Sequence, residues 1–307
     1  MRSRLQPWHL AVAIIVLCGA ILAFARWRTE RQFDSLALIE ALPPDQATHL
    51  FISVSALRQS GILDTLAGSK AQEEPDYRRF VEQTGFDYRT DLDSVAAAFF
   101  HGGSYFTARG HFDWKKLDAY AKAQGGDCRN GLCTLPGSQP DRNISFVPLS
   151  SNVIALAVTG EQRGVNMIGP NQWKTAPQLP PEPVWISAPS FAFSDPKGLP
   201  AGAQAFLSPL AQAEHVVFAI GPDGQRLHIR LEVSCATQES AAALAQKMTS
   251  TTDLLKKMLA REKMTPNSND LSGLLVAGTF EQQGKRVTGT WPLERGFLES
   301  LAAGKIQ

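Results

Sequence analysis

The feature that most constrains the fold of this chain is a stretch that occurs twice. Residues 95–112 and 216–233 align without a gap, and each copy runs into a helix-forming segment. In both copies apolar and polar residues alternate with period two, which is typical of a strand with one buried and one exposed face. A glycine in each turn, Gly103 and Gly224, suits the positive φ of tight hairpins. The repeat therefore predicts two β-hairpins, each followed by a helix.

Length, composition and charge narrow the class of protein. The chain has 307 residues, of which 44% are hydrophobic and 19% charged, as in a globular protein of one large or two modest domains. The first 31 residues hold five of the 30 Lys and Arg residues, so the remainder carries 25 basic against 28 acidic residues. We expect no nucleic-acid partner, because neutralising phosphates needs a concentrated basic surface.

Residues 10–25 form an uncharged apolar segment with arginines and a tryptophan on each side. The segment approaches the length that spans a bilayer, and flanking tryptophans suit the headgroup regions. It predicts a retained anchor that crosses a membrane once. Two alternatives are a signal peptide cleaved after the Ala-Phe-Ala of residues 23–25 and a lipoprotein modified at Cys18. Arginines on both sides leave the positive-inside rule indecisive.

Cys128 and Cys133 flank an Asn-Gly pair, the commonest pair in type I′ hairpin turns. That turn places Arg129 opposite Leu132 and the two cysteines opposite each other one step further out, within disulfide reach. A reduced pair and a two-ligand metal fragment are the alternatives, although the other cysteines supply no matching second pair. A disulfide implies an oxidising compartment, so the domain would face outside the cytoplasm.

Composition and periodicity divide the chain into five segments. We predict a membrane anchor with basic flanks at 1–31, a helical stalk at 32–48, a first α+β repeat at 49–168, a Pro-rich linker at 169–183 and a second α+β repeat at 184–307. The Val-Trp-Ile-Ser of residues 184–187 echoes the Leu-Phe-Ile-Ser of residues 50–53, which marks the restart. The predicted fold class is α+β, with an N-terminal transmembrane helix followed by two similar repeats of antiparallel sheet plus helix.

The order of these parts resembles that of uncharacterised exported bacterial proteins that carry a duplicated α+β domain of unknown function. The shared features are the N-terminal membrane segment, Ala-Leu-Pro-Pro-Asp at 41–45, the strand at 50–54, Thr-Gly-Phe-Asp at 84–87, and Asp-Leu-Asp at 91–93 before an alanine-rich strand. The resemblance spans most of the chain. It implies a bacterial envelope setting, with the anchor crossing the inner membrane once and the globular domain in the periplasm, and no assigned reaction.

Sequence motifs for catalysis and nucleotide binding are missing from the chain. It contains no Gly-x-Ser-x-Gly, no His-Glu-x-x-His and no glycine-rich phosphate loop. Ser194 and Lys197 have the Ser-x-x-Lys spacing, but they lie in a loop punctuated by proline and glycine rather than on a helix. His111 and His228 fit the solvent face of their strands. Aromatic residues at strand spacing are interpreted as core, namely Phe99, Phe100, Tyr105, Phe106 and Phe112.

Asp87, Asp91 and Asp93 are the one local group of carboxylates in the sequence that could hold a divalent cation. Aspartates just before a strand more often terminate turns, and no further acidic ligand lies in sequence reach. We therefore predict no metal, cofactor or catalytic site and keep these three residues as weak metal candidates.

The anchor, the repeat and the missing catalytic motifs together predict a non-catalytic membrane-anchored envelope protein. Its extracytoplasmic domain would bind a protein partner in the envelope. One alternative is an envelope enzyme whose site is assembled from residues distant in sequence, and another is a carrier of an apolar envelope ligand. A deep pocket with converging charges would favour the enzyme, a deep apolar pocket the carrier, and an exposed apolar patch or sheet edge the interaction domain.

Overall fold

The computed structural model describes residues 35–44, 46–66, 74–100, 102–170, 172–194, 201–223 and 226–303. Within these ranges twelve strands form one continuous sheet, in the order β11-β12-β10-β9-β8-β1-β2-β3-β7-β6-β5-β4 with strands numbered along the chain. Neighbouring strands pair antiparallel throughout.

The first half of the chain supplies seven of these strands, with helices between them. In chain order they are α1 (Ser35–Glu40), β1 (Thr48–Ile52), α2 (Val54–Gln59), α3 (Pro75–Thr84), α4 (Tyr88–Asp91), β2 (Leu92–Phe100), β3 (Gly103–Gly110), α5 (Trp114–Ala123), β4 (Asp127–Arg129), β5 (Leu132–Pro136), β6 (Asn143–Ser150) and β7 (Val153–Thr159). A 3₁₀ turn, Gly164–Met167, follows β7.

The second half supplies the remaining five strands of the described sheet. Its elements are β8 (Val184–Pro189), a 3₁₀ turn (Ser190–Phe193), α6 (Ala201–Leu207), a 3₁₀ turn (Ser208–Gln212), β9 (His215–Asp223), β10 (Arg226–Ser234), α7 (Gln238–Arg261), α8 (Leu271–Val276), β11 (Thr279–Gln283), β12 (Arg286–Leu293) and α9 (Arg295–Ala302). The long helix α7 begins at a capping box between Thr237 and Ser240, which satisfies the first free backbone N–H groups.

Helices cover parts of both faces of the sheet. On one face, which we call the helix face, α5 packs on β4 and β5, and α7 packs on β11 and β12. On the opposite face α1 lies against β2 and β3. Alanines in the strands make room for α1, because Ala96, Ala98, Ala155 and Ala157 let the buried Leu38, Ile39 and Leu42 approach the backbone closely.

The pairing register is the same in the two halves. In the first half Phe106 of β3 pairs with Leu156 of β7, and in the second half the equivalent residues, Ile229 of β10 and Trp291 of β12, pair with each other. Equivalent residues also face each other at the centre of the sheet. There Phe51 of β1 pairs with Trp185 of β8, and the two rings stack with centroids 5.7 Å apart. These are the two residues that the repeated sequence at 50–53 and 184–187 equates. A pseudo-two-fold axis therefore passes through the sheet between Phe51 and Trp185.

Both predicted hairpins are confirmed as β2–β3 and β9–β10, but the ungapped alignment of the sequence is two residues out. It equates Phe100 with Gly221, whereas Phe100 closes the first turn opposite Gly103 and Asp223 closes the second opposite Arg226. Side chains on a strand alternate with period two, so a two-residue error keeps every side chain on its correct face. The apolar pattern alone could not detect the shift.

The predicted fold class, a transmembrane helix followed by two antiparallel-sheet-plus-helix repeats, is wrong. The described strands form a single twelve-stranded sheet, because β1 and β8 pair with each other across its centre. None of the described helices is long and apolar enough to cross a membrane. Residues 10–25, the predicted anchor, lie outside the described residues. The five segment boundaries stay a prediction.

Two segments expected to connect domains pack against the sheet instead. Helix α1, within the predicted stalk, contributes Leu38 and Ile39 to the core, and Thr107 donates a hydrogen bond of 2.8 Å to the Leu38 carbonyl. In the Pro-rich segment the indole Nε1 of Trp173 donates to the carbonyls of Ile39, at 3.1 Å, and Leu42, at 3.2 Å. Both segments therefore belong to the folded body.

Candidate functional site

The middle of the helix face carries an apolar surface that we call the central strip, defined by Leu50, Phe99, Phe106 and Ile186. Leu50 pairs with Ile186 on one side and with Ala97 on the other, and Ala97 pairs with Phe106. Directly paired residues of antiparallel strands share a face. Ile186 also pairs with Phe218, which packs in the core beneath α7, so the strip lies on the helix face.

The central strip is exposed between the two helical layers. Phe99 is 40% exposed and Ile186 is 37% exposed, while Leu50 and Phe106 are half-buried. The rings of Phe99 and Phe106 meet edge to face with centroids 6.2 Å apart, so these two side chains hold each other in place. The interpretation of Phe99 as core is therefore wrong. Its alternation gave no warning, because β2 is apolar on both faces from Val95 to Phe100.

A cleft that we call the end cleft lies where β1 ends and β8 begins. It has a volume of about 590 Å³ and is lined by Phe51, Trp185, serines such as Ser94, and the proline-rich residues 179–183. Asp93, Arg109 and Glu182 bring charge to its wall. Described lining residues include no histidine, cysteine or lysine, so the serines there have no imidazole, thiolate or amine beside them.

Arg109 is unusual among the residues of the end cleft. Its Nε and Nη2 atoms are buried and find no acceptor among the described residues. A buried donor without an acceptor costs free energy, so this edge of the guanidinium is the least satisfied polar group in the cleft. Reasoning from the sequence missed it, because Arg109 has the polar phase of an ordinary solvent-facing strand residue.

The carboxylate of Glu182 is held by a bidentate ion pair. Arg230 Nε donates to Oε1 at 2.5 Å and Arg230 Nη2 donates to Oε2 at 2.8 Å. Arg230 Nη1 also donates to Glu232 at 2.9 Å, and Glu232 lies 3.5 Å from Arg286. The hydrogen bonds from Arg230 lower the pKa of Glu182 and outweigh the opposing effect of burial. This pair ties the Pro-rich segment to β10.

The three weak metal candidates do not converge. The carboxylate of Asp87 caps α4 and accepts hydrogen bonds from the side chains of Arg89 and Tyr77. Asp91 Oδ2 accepts the backbone N–H of Asp87 at 2.8 Å, whereas Asp93 lines the end cleft. The Arg89 hydrogen bonds lower the pKa of Asp87 to about 2, and burial together with Asp87 raises the pKa of Tyr77 to about 12. Asp87 and Asp91 thus hold local backbone structure.

The predicted disulfide between Cys128 and Cys133 is present. Asn130 and Gly131 both have positive φ, at 52° and 82°, as a type I′ turn requires, and the two cysteines pair across β4 and β5. Asp118 of α5 lies close enough that its carboxylate and the two sulfurs fall within 4.8 Å of one another. Sulfurs in a disulfide are not thiolates, so the oxidised hairpin offers no metal site.

The other sequence candidates lie apart from these sites. Ser194 is described, but Lys197, its Ser-x-x-Lys partner, lies outside the described residues. His111 is exposed just after β3, as predicted for a surface histidine. The ring of His228 is 21% exposed and lies 3.9 Å from the Glu182 carboxylate. Cys235 is a free, buried cysteine, and burial raises the pKa of its thiol.

Comparison with known proteins identifies no relative by sequence. No protein-family model matches this chain, and no curated protein matches it. Among solved structures it is similar to crystal forms I, III and IV of TP0453, with TM-scores of 0.44, 0.48 and 0.46 and 11% sequence identity. The alignments cover 87–88% of this chain and 95–98% of those chains. Similarity at this level carries no argument about function, so no family is assigned.

Proposed function

We propose that this chain is a non-catalytic, membrane-anchored envelope protein whose extracytoplasmic domain binds a protein partner through the central strip. The observation that carries the proposal is the exposure of Phe99 and Ile186 on the central strands of the sheet. Contiguous exposed apolar patches on folded proteins mark interaction sites. Aromatic anchors on a rigid surface also supply much of the free energy of protein association.

The shape of the surface indicates an apolar segment of a protein as the occupant. The strip is floored by four adjacent paired strands, β8, β1, β2 and β3, and bordered by the helical layers of α5 and α7. A floor of paired strands is rigid, so binding orders few side chains and loses little conformational entropy. A partner segment that lies between the helices would bury Leu50, Phe99, Phe106 and Ile186 together.

Two features support an envelope location for this protein. The disulfide between Cys128 and Cys133 fits an oxidising compartment such as the periplasm. Residues 10–25 with their arginine flanks would hold the domain at the bacterial inner membrane. The resemblance to exported bacterial proteins agrees with this location. Protease added to intact spheroplasts should digest the domain, and complete protection would contradict the proposed orientation.

Site-specific photo-crosslinking in cells tests the proposed partner site. We place p-benzoylphenylalanine at position 186 or at position 99, and at position 187 as the matched control. Ile186 and Ser187 are neighbours on β8 whose side chains point to opposite faces of the sheet. We expect one adduct of the same mass from positions 99 and 186, and none from position 187.

Several outcomes would decide against the proposal. An adduct of equal yield from position 187 would show that the strip is not the contact surface. Adducts that contain only two copies of this chain would replace the envelope partner with self-association. As a separate check, Ile186→Ser should abolish capture of the partner by the photo-crosslinker at position 99. Its free energy of unfolding should change by less than about 1 kcal/mol, because Ile186 is exposed.

A further inference from the structure

A second apolar feature, the first-half cavity, lies between the sheet and the helices α3 and α5. It has a volume of about 410 Å³, within the range of about 300–1000 Å³ that is usual for small-molecule sites. Every described side chain that lines it is aliphatic or aromatic, and Tyr120 contributes the one side-chain hydroxyl. Val95, Ile154 and Leu156 on its floor are only half-buried, so the cavity opens to solvent.

The second half has a smaller cavity at the equivalent place. It lies between the sheet and the helices α6, α7 and α8, and its volume is about 180 Å³, below the usual range for a ligand site. The pairing register identifies the equivalent floor residues. Val95 pairs with Ala108 as Phe218 pairs with Leu231, so these positions correspond one to one.

The floors of the two cavities differ in side-chain size at three equivalent positions. Phe218 and Leu231 take the places of Val95 and Ala108, and both larger side chains line the second cavity. Trp291 takes the place of Leu156 and packs edge to face against Phe280 with ring centroids 5.3 Å apart. At these three floor positions the second half therefore carries the larger side chain, whereas at a fourth position Gly289 takes the place of Ile154.

Aromatic rings form the wall of the first-half cavity on its helix side. Phe80 of α3 meets Tyr120 of α5 edge to face at 5.2 Å, and Phe86 stacks on Phe112 at 5.1 Å. These pairs fix the helices in place without filling the floor between them. A ligand group inside the cavity would meet only carbon surfaces and the Tyr120 hydroxyl, so any other polar group it carried would be left without a hydrogen bond.

We propose that the first-half cavity binds an unbranched hydrocarbon chain, with the polar end of the ligand left at the mouth in solvent. A hydrocarbon chain is the ligand chemistry that gains from this lining and leaves no polar group unpaired. The chain could belong to a free fatty acid or to the tail of a phospholipid. None of the residues that define the central strip lines this cavity, although Leu156 on its floor pairs with Phe106 of the strip. The proposal does not depend on the proposed partner.

Binding of the uncharged fluorescent probe N-phenyl-1-naphthylamine to the purified protein tests the proposal. We expect one probe per chain, displaced by a hydrocarbon chain from either source. Dodecanoic acid and lysophosphatidylethanolamine, each below its micelle concentration, represent the two sources, and displacement by one but not the other identifies the source. Failure of both to displace the probe would overturn the hydrocarbon-chain assignment.

The two halves provide the variants for this test. Val95→Phe combined with Ala108→Leu gives the first half the side chains of the second, and should weaken probe binding by about tenfold or more, which corresponds to about 1.4 kcal/mol. If this double variant does not fold, Leu156→Phe narrows the same floor with one change. Ile186→Ser on the central strip is the control and should bind the probe as the unaltered protein does.

Two results would overturn the proposed site. Unchanged probe binding in a folded Val95→Phe, Ala108→Leu variant would show that the probe binds elsewhere. Loss of probe binding in Ile186→Ser would place the probe on the central strip. The thermal midpoint of the double variant should equal or exceed that of the unaltered protein, because larger apolar side chains restore packing contacts.

Discussion

At the scale of single residues, the ion pair between Glu182 and Arg230 should affect stability more than the exposed ion pairs beside it. The Glu182 side chain is 8% exposed and that of Arg230 is 23% exposed, so removal of the arginine leaves a buried carboxylate without its cation. Arg286, on the neighbouring strand β12, pairs with Glu232 but is 67% exposed. The two arginines therefore form a matched pair of sites for substitution.

We predict that Arg230→Met lowers the free energy of unfolding by about 3 kcal/mol at pH 7, and Arg286→Met by less than about 0.5 kcal/mol. Arg230 lowers the pKa of Glu182 below its usual 4.5, so the stabilisation is present above that pH and is lost as the pH falls through the pKa of the folded state. In urea unfolding, the difference in the free energy of unfolding between the unaltered protein and Arg230→Met should become smaller below pH 4. A deficit independent of pH would contradict the role of the Glu182 charge.

Asp87 gives a second prediction at this scale. Its pKa is held at about 2, mainly by the Arg89 hydrogen bonds, so its stabilising contribution is present above its usual pKa of 3.8 and lost as the pH falls toward 2. Arg89→Gln should raise the pKa of Asp87 toward 3.8 and cost about 1 kcal/mol of stability at neutral pH. Carboxyl ¹³C NMR titration measures the pKa directly. No rise would show that another group holds the charge.

At the scale of elements, the cysteine hairpin was the most predictable part of the chain. Asn130 and Gly131 dictate the turn, and the turn dictates that Cys128 and Cys133 face each other. The disulfide closes only a short loop and packs with Leu117 and Ala121 of α5. The hairpin therefore fixes the edge strand β4 beneath that helix.

We predict that replacing both cysteines with serine lowers the free energy of unfolding by about 2 kcal/mol, the entropy expected from so short a loop. Alkylation without reductant, on denatured protein from its native compartment, should label Cys235 but neither hairpin cysteine. Labelling of Cys128 and Cys133 under those conditions would remove the argument for an oxidising compartment. Treatment with reductant before alkylation is the control that makes both accessible.

Local patterns predicted the elements well because the turns and alternation act over a few residues. The pairing of β1 with β8 could not be read from them, since either strand would pair equally well at the edge of a separate sheet. Prolines at 169–183 predicted a linker because proline disfavours regular structure. They gave no sign that Trp173 and Glu182 in that segment bind distant parts of the fold. The exposure of Phe99 could not be predicted from local patterns either, because it depends on where the helices pack on the sheet.

At the scale of the whole molecule, the continuous sheet predicts that the described residues unfold as one unit. Phe51 and Trp185, at the centre, are 7% and 3% exposed and join the two halves through stacked rings. We expect a single urea transition that is identical by far-UV circular dichroism and tryptophan fluorescence. Trp185→Ala should lower the free energy of unfolding by about 3–5 kcal/mol and still give one transition.

Two separate transitions would contradict this prediction. In that case the boundaries at 49–168 and 184–307 would mark independently stable domains, and hydrogen exchange should show the two halves opening at different denaturant concentrations. Trp114, in the first half and away from the centre, is a suitable site for a control substitution, because its loss should not alter the coupling between β1 and β8.

The pairing of the equivalent strands β1 and β8 at the centre of the sheet bears on the origin of this fold and on its aggregation. An antiparallel pairing in which a residue faces its own counterpart is the isologous contact that two identical subunits make around a two-fold axis. The contact between β1 and β8 is therefore of the kind that joins the two subunits of a symmetric homodimer, but here both strands belong to one chain. A fragment cut between residues 169 and 183 would bare β1 or β8 as an unprotected edge, ready to recruit further copies into larger aggregates.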